Sequence, residues 1–187
     1  MTDSYDVVIA GGAAHGSSLA YHLTADRGFS GRVLVVEKDM TYAKAATTLS
    51  LSSIRQQFSS RVNIRVGLAG VAFLKAAKEV LAVDGDGPDL PIVENGYLYL
   101  ASEAGAEILR ANHAVQVAEG ADVVLLTPEE TRARFPFLEM DGIALASLGL
   151  SGEGWFDSYS LMQAFRKKAV SQGATYVQDE VVAVERE

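Results

Sequence analysis

Asp6-Val7-Val8-Ile9-Ala10-Gly11-Gly12-Ala13-Ala14-His15-Gly16 decides the fold of this chain. The apolar run up to Ala10 has the length and composition of a short buried strand. Glycines follow at once. Ser17 to Ala25 has helical patterning, and a second apolar run, Val33-Leu34-Val35-Val36, ends in an acid, Glu37. This is the order of a βαβ unit built to hold a dinucleotide. Glycines at the strand-to-helix turn let the backbone approach a pyrophosphate. The helix start offers free N–H groups and a partial positive charge, and the acid accepts hydrogen bonds from a ribose.

The glycine pattern reads Gly11-x-Ala13-x-x-Gly16, with alanine where G-x-G-x-x-G has its middle glycine. The extra methyl narrows the closest approach to the phosphates without closing it. The context supports the motif: strand before, helix after, and Glu37 in the window ~20 residues beyond the turn.

Composition limits what else the chain can do. Its 187 residues suit one domain or slightly more, and 49% hydrophobic with 21% charged residues is the balance of a soluble globular protein. A net charge of −8 without a basic cluster argues against nucleic acid and against an anionic membrane surface. The chain has no cysteine, so it holds no disulfide, thiolate metal site or cysteine nucleophile. His15, His22 and His113 are scattered, and no metal site is expected. No apolar run reaches membrane-spanning length, and the polar, acidic start is unlike a signal peptide, so a cytoplasmic location is expected.

After Glu37 comes a stretch of small and hydroxyl-bearing residues, Thr41 to Ser53, ending in Ile54-Arg55-Gln56-Gln57-Phe58. Hydroxyls and an arginine suit phosphate oxygens, a flavin or a carboxylate. A nicotinamide-binding domain would instead supply a third strand promptly.

Further along, the spacing predicts a helix over 63–83 with Val66, Ala69, Phe73, Ala76 and Val80 on its core face. Asp84-Gly85-Asp86-Gly87-Pro88 ends it. A strand over 96–101 follows, then a helix over 103–119 with Ile108, Ala111, Val115 and Ala118 inward. Val123 to Leu126 reads as a strand. Thr127-Pro128-Glu129-Glu130 is a capping box with proline at the first helical position. Ile143 to Leu150 is strand-like, and Asp157 caps a helix that closes at Gly173. Ala174 to Val177 and Val181 to Val184 read as two more strands.

In these segments the chain resembles the FAD-dependent amine and amino-acid oxidoreductases related to D-amino-acid oxidase, sarcosine oxidase, glycine oxidase and dimethylglycine dehydrogenase. The resemblance rests on Val7–Leu23, Val33–Asp39, Ala46–Ser50 with Ile54–Phe58, Gly96–Leu98 and Gly154–Phe165. It implies an α/β fold: a Rossmann-like FAD-binding domain of the glutathione-reductase type, residues 1–84 and 151–187, with an inserted α+β substrate-domain segment, residues 85–150.

The implied activity is oxidation of the C–N bond of a small amino acid or secondary amine by hydride transfer to flavin. The electrons then pass to oxygen or to an electron-transfer protein. The resemblance places Gly11, Gly12, Ala13 and Gly16 at the pyrophosphate, Glu37 at the adenosine ribose and Lys38 near the adenine. Thr47 and Thr48 help the pyrophosphate, and Ser52, Ser53 and Arg55 lie near the isoalloxazine. Val181 touches the adenine through its backbone. Arg55 is the candidate for a catalytic role, pairing with a substrate carboxylate or acting on the flavin.

The chain departs from the family at Ala13 and at Ser52-Ser53, positions where glycines are usual, and at Ser158, where proline is usual. Family members are also considerably longer, so the chain reads as C-terminally truncated, a fragment or one part of a split protein. The competing expectation is a catalytically inactive dinucleotide-binding module that self-associates or acts only with a partner chain.

Overall fold

The computed structural model describes residues 4–186. The elements run β1 (Val7–Ala10), α1 (Ala14–Ala25), β2 (Val33–Glu37), β3 (Ser53–Ile54), α2 (Arg61–Val80), β4 (Leu98–Ala101) and α3 (Glu103–Ala118). Then follow β5 (Val123–Leu126), α4 (Pro128–Arg134), β6 (Leu145–Gly149), β7 (Gly154–Trp155), α5 (Ser158–Ser171) and β8 (Thr175–Gln178). The chain divides into two compact units. One comprises residues up to Ser52, Ala76–Leu90 and those from Asp157 onward; the other comprises Ser53–Lys75 and Pro91–Phe156.

These boundaries differ from the sequence-based ones. Residues 53–75 and 151–156 pack with the second unit because β3 pairs with β7, Ser53 opposite Trp155 and Ile54 opposite Gly154. The last residue of the hydroxyl-bearing stretch, Ser53, is already strand.

The first unit is built on a parallel sheet in the order β1-β2-β8. Val7 lies opposite Val33 and Ala10 opposite Val36, while Glu37 lies opposite Gln178. Helices α1 and α5 bury one face: Ile9, Ala20, Val33, Val35, Ala169 and Ala174 form the core. Thr24 donates to Gln172 Oε1 at 3.0 Å, and the Tyr21 and Phe165 rings lie 5.5 Å apart, so the two helices are tied by polar and aromatic contacts as well. Asp157 caps α5 by accepting from the Ser160 amide at 2.9 Å, and Gly173 follows it at φ 101°, as the end signals predict. Asp84-Gly85 forms a two-residue hairpin turn, both residues left-handed (φ 54° and 84°), with Val83 and Asp86 exchanging hydrogen bonds.

The second unit holds an antiparallel sheet in the order β4-β6-β5. Leu126, Ala146 and Leu148 form one cluster; Ile64, Ala121 and Val123 form another under α2 and α3. The capping box is present as read: Thr127 Oγ1 accepts from the Glu130 amide at 3.2 Å, and Glu130 Oε2 accepts from the Thr127 amide at 2.8 Å.

Three expectations need correction. Helix α2 buries Ile64, Val71, Leu74 and Ala77, not the face marked by Val66 and Val80, which are 65% and 37% exposed. In α3 the buried positions are Ala106 and Gln116; of the expected face, Val115 packs against the Ile64, Ala121 and Val123 cluster, while Ile108 is 66% exposed. Helix α2 carries two apolar stripes at three-to-four spacing, and tertiary packing selects between them; α3 instead turns inward a partly polar stripe in which His113 bonds to Val123 O and Gln116 donates to Phe58 O. Residues 181–184 form no strand, and Val182 and Val184 stay almost fully exposed with no strand beside them among the described residues.

The Glu119 carboxylate receives Arg65 Nε at 2.5 Å and the Arg61 guanidinium. Arg65 above all, then Arg61, holds the Glu119 carboxyl below its ordinary value of 4.5. A depressed folded-state pKa stabilises fully above that ordinary value and loses the contribution as pH falls through the depressed one. The urea midpoint of wild type should therefore fall more steeply from pH 5 to pH 3 than that of Glu119→Gln; parallel curves would show that the triad contributes nothing.

Candidate functional site

The loop from β1 to α1 is held by polar groups of β2, α1 and β8. Gly11 sits at φ 94°, where a side chain is disfavoured, and its amide donates to Val36 O at 2.8 Å. The Gly12 amide donates to Glu37 Oε2 at 2.7 Å. The Gly12 carbonyl accepts from Ser17 Oγ at 2.5 Å, and Tyr176 donates to that hydroxyl at 3.1 Å. Both ends of the Gly12 residue are thus fixed by side chains of α1, β2 and β8.

Glu37 is almost fully buried at the C-terminal end of β2. Its second oxygen accepts from the Asp39 amide at 2.9 Å. Each carboxylate oxygen has a further lone pair, so the group can still accept hydroxyl donors.

Helix α1 begins without a side-chain cap: Ala13, its N-cap, has none to offer. The Ala14 amide reaches only Thr47 Oγ1, at 3.4 Å. First-turn donors without strong protein acceptors suit an anion. Gly16 serves a different purpose. A Cβ there would lie 1.8 Å from Gly11 O, so this glycine lets the helix close on the turn.

A cleft of about 370 Å³ opens at the C-terminal ends of β1 and β2. Gly11, Ala13, Glu37, Lys38 and Val181 line it, joined by Tyr42, Lys44, Asp179 and Glu180. Of the residues expected at a dinucleotide, these five sequence-predicted ones line the same space, and Gly12 is bonded to its wall. Gly16 and Thr47 support the turn. Thr48 is exposed and off the cleft. Ser52, at φ 52°, donates to Ser158 Oγ at 2.6 Å, since Ser158 spends its own proton on Thr47 O at 3.0 Å.

Sequence reasoning missed Tyr42, Ser17 and Tyr176. Tyr42 is 1% exposed and left-handed (φ 56°), and its hydroxyl would sit 3.2 Å from a Cβ at Gly12. Burial pushes its phenol pKa up, against the nearby Arg166. An aromatic inside a hydroxyl-rich loop was the available signal.

Ser53 and Arg55 belong to the second unit. Arg55 is exposed; its guanidinium donates to the Tyr99 hydroxyl at 2.7 Å and lies 4.7 Å from the centre of the Phe58 ring. It pairs with no acid among the described residues.

A left-handed Gly11, an uncapped helix start and an acid beside the turn are the donor and acceptor set that an adenine dinucleotide requires, and the residues fit FAD. Comparison with known proteins agrees. Residues 6–187 match the family of FAD dependent oxidoreductases, and the chain belongs to that family. FAD is the cofactor of this class.

The chain is 48% identical over 179 residues to FAD-dependent oxidoreductase domain-containing protein 1 of Bos taurus, covering 94% of this chain and 37% of that relative. It thus spans little more than a third of that protein's length. Among solved structures it resembles L-proline dehydrogenase from P. horikoshii (TM-score 0.76, 28% identity, 95% of this chain and 44% of that one). It also resembles glycine oxidase from Geobacillus kaustophilus (TM-score 0.72, 27% identity, 92% and 46%).

Glu37→Ala removes the acceptor for the buried Gly12 amide and should weaken FAD binding by about 1–3 kcal/mol. Flavin fluorescence quenching on titration measures it; unchanged affinity would detach Glu37 from the cofactor. Ala13→Gly should tighten FAD binding in the same titration, because a methyl at the cleft wall is removed. Equal or weaker binding would show that Ala13 does not face the phosphates.

Proposed function

We propose that this chain forms the dinucleotide-binding part, and a portion of the substrate-binding part, of a flavoenzyme that oxidises the C–N bond of a small amino acid or secondary amine by hydride transfer to flavin. The observation that carries the reading is the 2.7 Å bond from the Gly12 amide to Glu37 beside the uncapped start of α1. FAD, when bound, supplies the two-electron acceptor.

In this reading Glu37 accepts the ribose hydroxyls, and Lys38 and the Val181 backbone flank the adenine. Gly11, Gly12 and Ala13 face the pyrophosphate with Gly16 behind them, and Thr47 and Thr48 assist. Ser52 and Ser53 lie toward the flavin. Arg55, free of any acid partner among the described residues, receives the substrate carboxylate. The names of the two solved relatives support the substrate class: proline and glycine both carry a carboxylate on the carbon next to nitrogen. Those names, a dehydrogenase and an oxidase, leave oxygen and an electron-transfer protein both open as acceptors.

The proposed setting is the cytoplasm, on composition alone. No helix among the described residues is long and apolar enough to cross a membrane.

A second reading has one observation in its favour. β1 is an edge strand in the described sheet, and Val8 on it is 55% exposed. An apolar open edge invites pairing. The module would then be inactive alone and act with a partner chain or a second copy.

Anaerobic mixing of the FAD-loaded chain with L-proline, sarcosine or glycine separates the readings. Bleaching of the flavin absorbance is expected from at least one of them, with Arg55→Met weakening the apparent affinity for these acids by about tenfold or more. Bound FAD that none of them bleaches, in a chain that self-associates on sizing, would favour the inactive module.

A further inference from the structure

The second unit buries one carboxylate completely. Glu153 is 0% exposed, and no cation pairs with it among the described residues. Its Oε1 accepts from the backbone amides of Gln56 at 2.6 Å and Gln57 at 2.9 Å. Its Oε2 accepts from Gln57 Nε2 at 2.8 Å. The Gln57 side chain is then fully used, donating also to Tyr97 O at 2.9 Å and accepting from Ser147 at 2.7 Å. Burying a charge on neutral donors alone is costly, and its stability here comes from the number of fixed N–H groups aimed at it.

The two backbone amides that Glu153 holds are those immediately after Arg55. Immediately before Arg55, Ser53 and Ile54 pair with Trp155 and Gly154, the two residues after Glu153. Room for this arrangement is made twice by glycine. A Cβ at Gly149 would lie 1.9 Å from Glu153 Oε2, and one at Gly67 would lie 2.5 Å from Arg55 O. The backbone of Arg55 is thus gripped on both sides while its guanidinium stays exposed, oriented by Tyr99 and Phe58. Fixing an exposed cation this tightly gains little stability, since surface charges contribute little. It does remove the ordering cost of capturing an anion.

We propose that Glu153 is a positioning residue that presets Arg55, with the Tyr99 hydroxyl beside it, as a receptor for the carboxylate of a small organic acid. This rests on the reading of Arg55 given above. Arg55 and Tyr99 meet the ligand; Glu153 acts only through the backbone of residues 55–57.

The chain carries a single tryptophan, Trp155, half exposed and paired with Ser53, so its fluorescence reports on this place alone. L-Proline, with L-prolinamide as the match lacking a carboxylate, is titrated into wild type, Arg55→Met and Glu153→Gln. Wild type should respond to proline at concentrations well below those needed for prolinamide. Arg55→Met should lose that preference. Glu153→Gln, which places an NH₂ against the Gln57 donor, should weaken proline roughly tenfold while leaving prolinamide unchanged.

If wild type shows no preference, the Arg55 reading falls, and this one with it. If Arg55→Met loses the preference and a folded Glu153→Gln keeps it, Arg55 stands and the positioning role is overturned. Hydrogen exchange of wild type covers a Glu153 variant that does not fold. The Gln56 and Gln57 amides should exchange more slowly than that of the exposed Ser59, and equal rates would overturn the grip.

Discussion

The first unit depends on one hydrogen bond, from the Gly12 amide to the Glu37 carboxylate. Twenty-five residues separate the partners, and parallel pairing of β1 with β2 brings the ends of the two strands together. The acid then does two things at once. It fixes the glycine turn, and in the proposed reading it offers its remaining lone pairs to a ribose. A Cβ at Gly12 would press on Tyr42, Val35 and Glu37 at 3.2 to 3.3 Å, so a larger residue there would have to shift its neighbours. The buried Tyr42 and the Ser17–Tyr176 relay are the back of that same turn, so a site that opens to solvent is stiffened from the protein side.

What could be read in the sequence was local. Strand, glycine turn, helix and acid are contiguous, and the caps at Thr127 and Asp157 depend on residues three apart. These features appear as read. The faces of α2 and α3 were not legible: α2 offers two apolar stripes, α3 turns inward a stripe with His113 and Gln116 that apolar spacing does not mark, and in both the choice depends on what packs against them. Nor was the place of residues 53–57. Their partners are almost a hundred residues away, at Ser147 and Glu153, and nothing in a stretch of glutamines announces a buried acid so far off. Val181 was read as a strand residue; it lines the cleft from an irregular segment instead.

Glu37 and Glu153 solve the same problem in the two units. Each is a buried carboxylate that takes backbone amides rather than a lysine or arginine. A mobile cation would satisfy the charge from many positions. Amides of a fixed turn satisfy it from only one, so the acid specifies backbone geometry as well as charge balance. Neither Glu37 nor Glu153 makes an ion pair among the described residues, while Glu119, whose carboxylate meets two exposed arginines, and the exposed Asp86 do. Arg55, next to the two amides that Glu153 takes, is left outward and without an acid among the described residues. A buried salt bridge between Arg55 and Glu153 would have used up both groups for stability. Separating them leaves the acid to set the backbone and, in the proposed reading, the arginine to meet a substrate carboxylate.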